Sequence, residues 1–346
     1  VLKPLERLTP AAVLACLLAA SAPAQMRVAP DGAFLMNVES AVQGFKAPIT
    51  AQKVVARRVT PVTTAIELVK QDLRRTYAKH PRAQVVPESY IEEIFDGRYV
   101  MLYPNIPKIY EARRKQREKY EALQKLSPDG KAPPNYPEYR KKFITAKSIA
   151  KGVAFVQTHR ALLDAVEARY DVDPSLLVAL ASQETRYGAD VGSYRVFDAL
   201  YTIILKVPEE KWIKFAVHQE AEFIRMVYGQ KMSVHAAHAV LGTYDGGMGY
   251  VQFEPASFNA YAVDFDRDGK TRLNEWPDAL GSAANYLVEA GYDSSEDFTP
   301  DSAIGRALFR YNNSTNYVRC VLDMRNEIHR RLPAAKKKTS RPRAPR

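Results

Sequence analysis

Apolar and charged residues alternate at helical spacing from Val62 to Lys79 in "VTTAIELVKQDLRRTYAK", which predicts an amphipathic helix. A second periodic run, "KIYEARRKQREKYEALQKL" at 108–126, is so heavily charged that it predicts a helix with a long exposed face. Between them, "RYVMLYPNI" at 98–106 is short, and Pro104 and Pro107 interrupt it. "SPDGKAPPNYPEYRK" at 127–141 reads as a Pro- and Gly-rich loop and is the best candidate for an internal boundary. From Thr145 the pattern is almost continuously helical. "AKSIAKGVAFVQTHRALLDAVEARY" reads as one long helix. "DVDPSLLVALASQETRYG" reads as the next, with Asp173 as N-cap, Pro174 at the first helical position and Gly188 available to close the end. Further helices are expected at about 209–228, 278–290 and 315–332. There is no repeated unit and no alternating strand series, so the expected class is mainly α.

One apolar run has a different character. "AAVLACLLAA" at 11–20 follows Lys3 and Arg7 and precedes "SAPAQ", with Ala22 and Ala24 at a cleavage-type spacing. This reads as a secretory signal over 1–24, and so as an exported, periplasmic protein. Cys16 raises the alternative of a lipid anchor, but "VLAC" fits poorly and the apolar run continues past it. The run falls short of the ~18–20 residues of a membrane span. Cleavage after Ala24 leaves Cys320 as the one remaining cysteine, which excludes an intrachain disulfide.

At 46% apolar, the chain of 346 residues can build a sizeable core. Its net charge of +11 is concentrated: "KKKTSRPRAPR" at 336–346 carries six basic residues and no acid, and without it the balance is +5. The tail over 334–346 reads as disordered, either simply solvated or in contact with an anionic polymer or membrane surface. No zinc-finger spacing or aromatic-plus-basic RNA motif points to specific nucleic-acid recognition.

Glu184 stands three residues beyond the unbroken apolar run Leu176–Ala181. With Leu177 and Leu180 it continues one helical stripe, and it lies in the last turn of its helix. Desolvation and the negative helix end both raise a carboxyl pKa there, and Arg186 points away. A carboxyl still protonated near neutrality is what a general acid requires. The competing reading, a glutamate paired with a distant Arg or Lys, is equally open on this helix alone. "GTYDGGMGYVQFEPASFNAYAVDF" at 242–265 adds four glycines within eight residues, an amide and several aromatics, a composition suited to a sugar. Taken alone, that is also compatible with a mere turn.

Together, "ETRYG" (184–188), "GTYDGGMGYVQFEP" (242–255), "AVDFDRDGK" (262–270), "GSAANYL" (281–287) and "RYNNS" (310–314) resemble, in order and spacing, the MltB-type lytic murein transglycosylases (glycoside hydrolase family 103). The resemblance covers about 139–330 and is faint upstream. It implies a lysozyme-like helical core at 139–333, preceded by an N-terminal helical extension at 25–138. It also implies cleavage of the MurNAc–GlcNAc β-1,4 bond of peptidoglycan glycan strands to 1,6-anhydromuramoyl products. Glu184 would be the sole catalytic acid and base. The family's cleft positions fall on Thr243, Met248, Gln252, Phe253, Tyr286, Tyr311 and Asn312. Asp245 stands where the family has a small alanine, and Glu254 where it has an apolar residue. A non-catalytic peptidoglycan-binding protein and a water-using muramidase are the alternatives. A monomer without an organic cofactor is expected.

"DFDRDGKTRLNE" at 264–275 fits the generic calcium-loop pattern through Asp264, Asp266, Asp268, Gly269 and Glu275. Three alternate carboxylates converge readily only around a cation, and Lys270 can add a backbone carbonyl. The resemblance favours Asp278, at the fifteenth position, as the closing ligand. The helix pair of an EF-hand is not evident in the sequence. His235 and His238 have metal-compatible spacing but no third ligand in view, and read as ordinary loop or helix-end histidines.

Overall fold

The computed structural model of the protein describes residues 62–80, 83–126 and 136–333. The signal-like run with Cys16, the first part of the Pro/Gly-rich loop and the basic tail lie outside the described residues. Among those residues the chain is mainly helical. In order it forms α1 (Val62–Lys79), α2 (Glu88–Ile94), α3 (Ile106–Leu126), α4 (Tyr136–Phe143), α5 (Ala146–Thr158), α6 (Arg160–Tyr170), α7 (Pro174–Thr185), β1 (Tyr194–Arg195), α8 (Val196–Lys206), α9 (Glu210–Gly229), α10 (Val234–His238), β2 (Leu241–Gly242), α11 (Pro255–Tyr261), α12 (Trp276–Glu289), α13 (Ala303–Tyr311) and α14 (Thr315–His329). The two short strands pair antiparallel, Tyr194 with Gly242 and Arg195 with Leu241.

Three sequence expectations change. The long helix expected over 146–170 is two helices that break at His159, whose φ of −105° and ψ of 22° end α5. The break lets α5 pack on α7 and α14 while α6 packs on α12. The later part of the expected loop is helix α4, because Tyr136 and Tyr139 stand one turn apart and both are buried. Helix α8 went unpredicted. Its residues Val196–Leu205 are all buried, Asp198 and Thr202 included, so it has no solvent-exposed polar face to mark it out.

Two clusters of buried side chains organise the packing. One gathers α4–α7 and α12–α14 around Leu176, Leu180, Leu280, Leu287 and Tyr317. The other gathers α1–α3 with α8–α10 around Leu73, Ile94, Phe197, Tyr201 and Phe223. The glycine-rich segment 242–253 feeds both, with Tyr244 and Met248 in the second cluster and Val251 and Phe253 in the first.

Candidate active site

Helix α7 is buried along its length from Ser175 to Thr185, so it carries its polar C-terminal turn into the interior. It starts as the sequence predicts. The Asp173 carboxylate accepts from Leu176 N at 2.8 Å and also pairs with Arg325 at 2.8 Å. It ends at Thr185, followed by Arg186, Tyr187 and Gly188, all in the left-handed region. The Thr185 hydroxyl accepts from Gly188 N at 3.0 Å and donates to Tyr250 O at 2.9 Å, tying the helix end to the glycine-rich segment.

Glu184, in the last turn, is 3% exposed. Its hydrogen-bond partner is the Tyr317 hydroxyl of α14, which donates to Oε1 at 2.5 Å. No Lys or Arg lies within ion-pair reach of it among the described residues, and Arg186 pairs instead with Asp190 at 2.8 Å. Burial pushes the Glu184 carboxyl up to about 8, and the Tyr317 bond offsets part of that rise. The paired-glutamate reading therefore loses its partner, and an uncharged carboxylic acid near neutral pH is what remains.

Glu184 opens onto a cleft of about 290 Å³. Gln252, Phe253, Tyr286, Tyr311 and Asn312 line it, together with Asp245, Gly247, Glu254, Ser257 and Arg310. The aromatic wall is mutually braced. The Tyr286 and Tyr311 rings meet edge-on at 4.8 Å, and Phe253 lies 5.8 Å from Tyr286. Both tyrosine hydroxyls are engaged: Tyr286 donates to Arg310 O at 2.8 Å and Tyr311 to Val251 O at 2.5 Å. What these rings offer a ligand is their faces.

The glycine-rich segment contributes Asp245, Gly247, Gln252 and Phe253 to the same cleft. Gly249 has φ of 67°, and a Cβ there would fall 2.4 Å from the Leu273 carbonyl oxygen. Both facts demand glycine. Gln252 holds φ of 53° without being glycine, a conformation that surrounding structure must enforce. Its Nε2 donates to Gly249 O at 2.9 Å, while its Oε1 is buried and has no donor. The Thr243 hydroxyl accepts from Gly247 N at 2.9 Å and donates to Asp245 Oδ1 at 3.0 Å. From the N-terminal helices, Arg113 of α3 reaches Asp245 Oδ2 at 3.4 Å and lies over the Tyr244 ring at 5.0 Å.

The acidic loop runs between α11, which the sequence did not reveal, and α12, which was expected over 278–290, so a helix does flank it on each side. Asp264, Asp266 and Asp268 bring one carboxylate oxygen each within 4.8 Å of one another. The loop is drawn inward by its own amides: Gly269 N donates to Asp264 at 2.9 Å and Lys270 N to Asp268 at 2.9 Å. Asp278, 2% exposed at the start of α12, accepts from Phe265 N at 2.8 Å and Arg272 N at 2.7 Å, joining the two ends of the loop. Glu275 is exposed and faces Arg272 at 3.6 Å.

With this geometry in hand, a family model described as "Transglycosylase SLT domain" matches residues 69–303, more than half of the chain. The chain belongs to the transglycosylase SLT domain family. Over 154 residues this SLT protein is 34% identical to membrane-bound lytic murein transglycosylase B of Escherichia coli (strain K12), a stretch that is 44% of this chain and 41% of that relative. The chain thus spans about two fifths of the length of that curated relative. Its fold is similar to Escherichia coli lytic transglycosylase Slt35, solved in complex with calcium (TM-score 0.59, 21% identity, 79% of this chain and 96% of that one). It is likewise similar to Pseudomonas aeruginosa SltB3, solved with NAG-anhNAM-pentapeptide (TM-score 0.60, 22% identity, 77% and 79%).

Of the seven cleft residues expected in the SLT protein, Gln252, Phe253, Tyr286, Tyr311 and Asn312 line the cleft with Glu184. Thr243 and Met248 do not line it. Both are 5% exposed, Thr243 bracing the glycine-rich turn and Met248 packing in the second cluster. Tyr317 is a residue the sequence reading missed. It lies just past "RYNNS", and nothing in its spacing distinguishes it from a core tyrosine. His238 is buried against Ile94 O at 2.9 Å, and His235 is exposed on the same short helix. Cys320 is buried, with its thiol pushed up to about 12, far from a reactive thiolate.

Proposed function

We propose that this SLT domain protein is a peptidoglycan lytic transglycosylase that cleaves the MurNAc–GlcNAc β-1,4 bond and leaves 1,6-anhydromuramoyl ends. The observation that carries the reading is Glu184, a buried carboxyl with no cationic partner, held near a pKa of about 8 at the wall of an aromatic-lined cleft. Its proton goes to the glycosidic oxygen as the bond to C1 breaks. The resulting carboxylate, steadied by the Tyr317 hydroxyl, then takes the proton of the muramyl C6 hydroxyl as that oxygen attacks C1. The substrate's own N-acetyl group stabilises the cationic centre between the two steps. Gln252, Phe253, Tyr286, Tyr311 and Asn312 hold the strand, with ring faces against the sugars. The NAG-anhNAM-pentapeptide held by SltB3 supports this product class.

Asp264, Asp266 and Asp268, with the Lys270 carbonyl and Asp278 closing the loop, would hold one Ca²⁺. The hard oxygens and clustered like charges of Asp264, Asp266 and Asp268 fit such an ion, and the calcium of Slt35 supports the choice. Asp278, whose oxygens accept from Phe265 N and Arg272 N, lies outside that three-carboxylate cluster. The ion's contribution is structural. The reaction acts on cell-wall polymer, which places the protein in the envelope. Among the described residues no helix is long and apolar enough to cross a membrane.

Digestion of purified sacculi followed by mass spectrometry of the soluble products tests the reading. Anhydro-muropeptides are expected. Reducing muramic ends would make the protein a muramidase, and no release at all would make it a binding protein; either result overturns the proposal.

A further inference from the structure

The reaction just described gives α1–α3 no task, yet α3 reaches the cleft. Tyr110 and Arg113 stand one turn apart on that helix. The Tyr110 ring is 1% exposed and meets Trp212 of α9 edge-on at 5.1 Å and Tyr244 at 6.1 Å, which fixes this turn of α3 on the second cluster. The Arg113 guanidinium lies over both tyrosine rings, 5.0 Å from the centre of Tyr244 and 5.8 Å from that of Tyr110. From there its Nη1 reaches Asp245 Oδ2 at 3.4 Å, and the two side chains are only 23% and 14% exposed. Another pair on α3, Lys115 with Glu111, is by contrast open to water and salt. One helix therefore holds two successive residues of the glycine-rich segment, the ring of Tyr244 and the carboxylate of Asp245.

What α3 holds is a turn closed by hydrogen bonds. Asp245 Oδ1 accepts from the Thr243 hydroxyl at 3.0 Å, and that hydroxyl accepts from Gly247 N at 2.9 Å. Thr243 N donates to Gly247 O at 2.9 Å, and Gly246 N to Thr243 O at 3.1 Å. Beyond the turn, Met248 N donates to Phe253 O at 2.8 Å and Phe253 N to Met248 O at 3.1 Å. Gly247, Gln252 and Phe253 line the cleft, whereas Arg113 does not. The fit between turn and cleft is close: a Cβ on Gly247 would fall 2.9 Å from Thr243 Oγ1 and 3.3 Å from Gln252 Oε1. A displaced turn is therefore felt at Gln252.

Asp245 is the joint between the two halves. One of its oxygens is engaged by Thr243 inside the turn and the other by Arg113 outside it. With both taken, its place at the cleft is that of a brace and not of a sugar ligand. An alanine at 245, the residue the family resemblance would lead one to expect, would leave Arg113 facing no acceptor there. The departure at 245 and the arginine on α3 belong together.

We propose that Arg113 is a positioning residue of the cleft: by pairing with Asp245 it clamps the 243–247 turn to α3 and so fixes where Gly247, Gln252 and Phe253 meet the glycan strand. The clamp acts on binding more than on proton transfer, because Glu184 is held by Tyr317 of α14, outside this set of contacts. The identity of the strand rests on the peptidoglycan reading above; the clamp itself does not.

Hydrogen exchange read by mass spectrometry tests the clamp with no ligand present. Arg113→Met keeps an unbranched stem and removes the charge. In the full chain, the amides of 243–248 should exchange faster than in the parent, while those of α7 stay as slow. Asp245→Ala deletes the same pair from its other side and should do likewise. It keeps the test open where thermal melts show Arg113→Met to be misfolded. Steady-state digestion of purified sacculi then reads the cleft. Each variant should raise KM on the order of three- to tenfold, as for the loss of a partly shielded ion pair, with kcat largely kept. The double variant should be no worse than either single one, because the pair is already broken. Exchange like the parent's overturns the proposal. So does faster exchange with an unchanged KM, a fall in kcat alone, or KM effects that multiply in the double variant. A parent that releases no anhydro-muropeptides would instead strike the catalytic reading; the exchange comparison would stand, and co-sedimentation with sacculi would supply the affinities in place of KM.

Discussion

A carboxyl group that burial pushes up to about 8 makes Glu184, the proposed proton donor, a burden on folding as well. Glu184→Gln should lower turnover by at least ~10²–10⁴-fold, since the amide fills the same space without an acidic proton. The same variant reads the burden. The carboxyl titrates near ~4.3 in the unfolded chain and about 8 in the folded one, so the native state binds the proton more tightly. Parent stability should therefore fall as pH rises across that window and level off above it. The melting-temperature advantage of Glu184→Gln should widen over the same range; a constant gap in melts across those pH values would put the parent carboxyl in water. Tyr317→Phe probes the other partner. Its hydrogen bond favours the ionised form, so losing it should move the alkaline limb of kcat/KM upward. A pH–rate profile with an unmoved limb would detach Tyr317 from the acid.

Helix α7 was legible almost to the residue, because Asp173, Pro174 and the apolar run are local signals that tertiary structure had no reason to override. The break at His159 was not. The residues on either side suit a helix, and the turn is imposed by what α5 and α6 each pack against. Helix α8 was hidden for the opposite reason, being buried on every side, so that even its polar residues Asp198 and Thr202 face backbone rather than solvent. In the site, Glu184 and five cleft residues were readable through their motifs. Tyr317 was not, since a hydroxyl that crosses 133 residues to meet Glu184 leaves no trace in spacing. The glycine-rich segment shows what a motif letter enforces. Gly249→Ala would place a methyl 2.4 Å from the Leu273 carbonyl in a left-handed backbone. A stability loss of at least ~1 kcal/mol is expected, with a rise in KM larger than any fall in kcat. Steady-state kinetics beside urea melts check both parts, and an unchanged KM would make that wall irrelevant to the substrate.

At the scale of the whole molecule, the acidic loop pins the entry of α12, whose Tyr286 forms part of the cleft wall. Calcium should therefore stabilise the fold without entering the chemistry. A ligand bound only by the native state adds about 2.7 kcal/mol at a hundredfold excess over its Kd. EGTA should lower the melting temperature, and Asp268→Ala should lower it with no further response to chelator. Superimposable melts with and without Ca²⁺ would reduce the loop to a solvated turn. The chain's path has a consequence of another kind. It builds part of the second cluster, leaves it to lay down α4–α7, returns for α8–α10, and completes the first cluster with α12–α14. The side chain that hydrogen-bonds Glu184 arrives on α14, the last of these helices to be synthesised. A nascent chain halted before α14 would lack both the Tyr317 hydroxyl and the packing of α14 on α7 that helps to bury Glu184. On the proposed reading of Glu184, wall-cutting ability would appear only when α14 docks, and the order of synthesis itself would keep an unfinished chain inert.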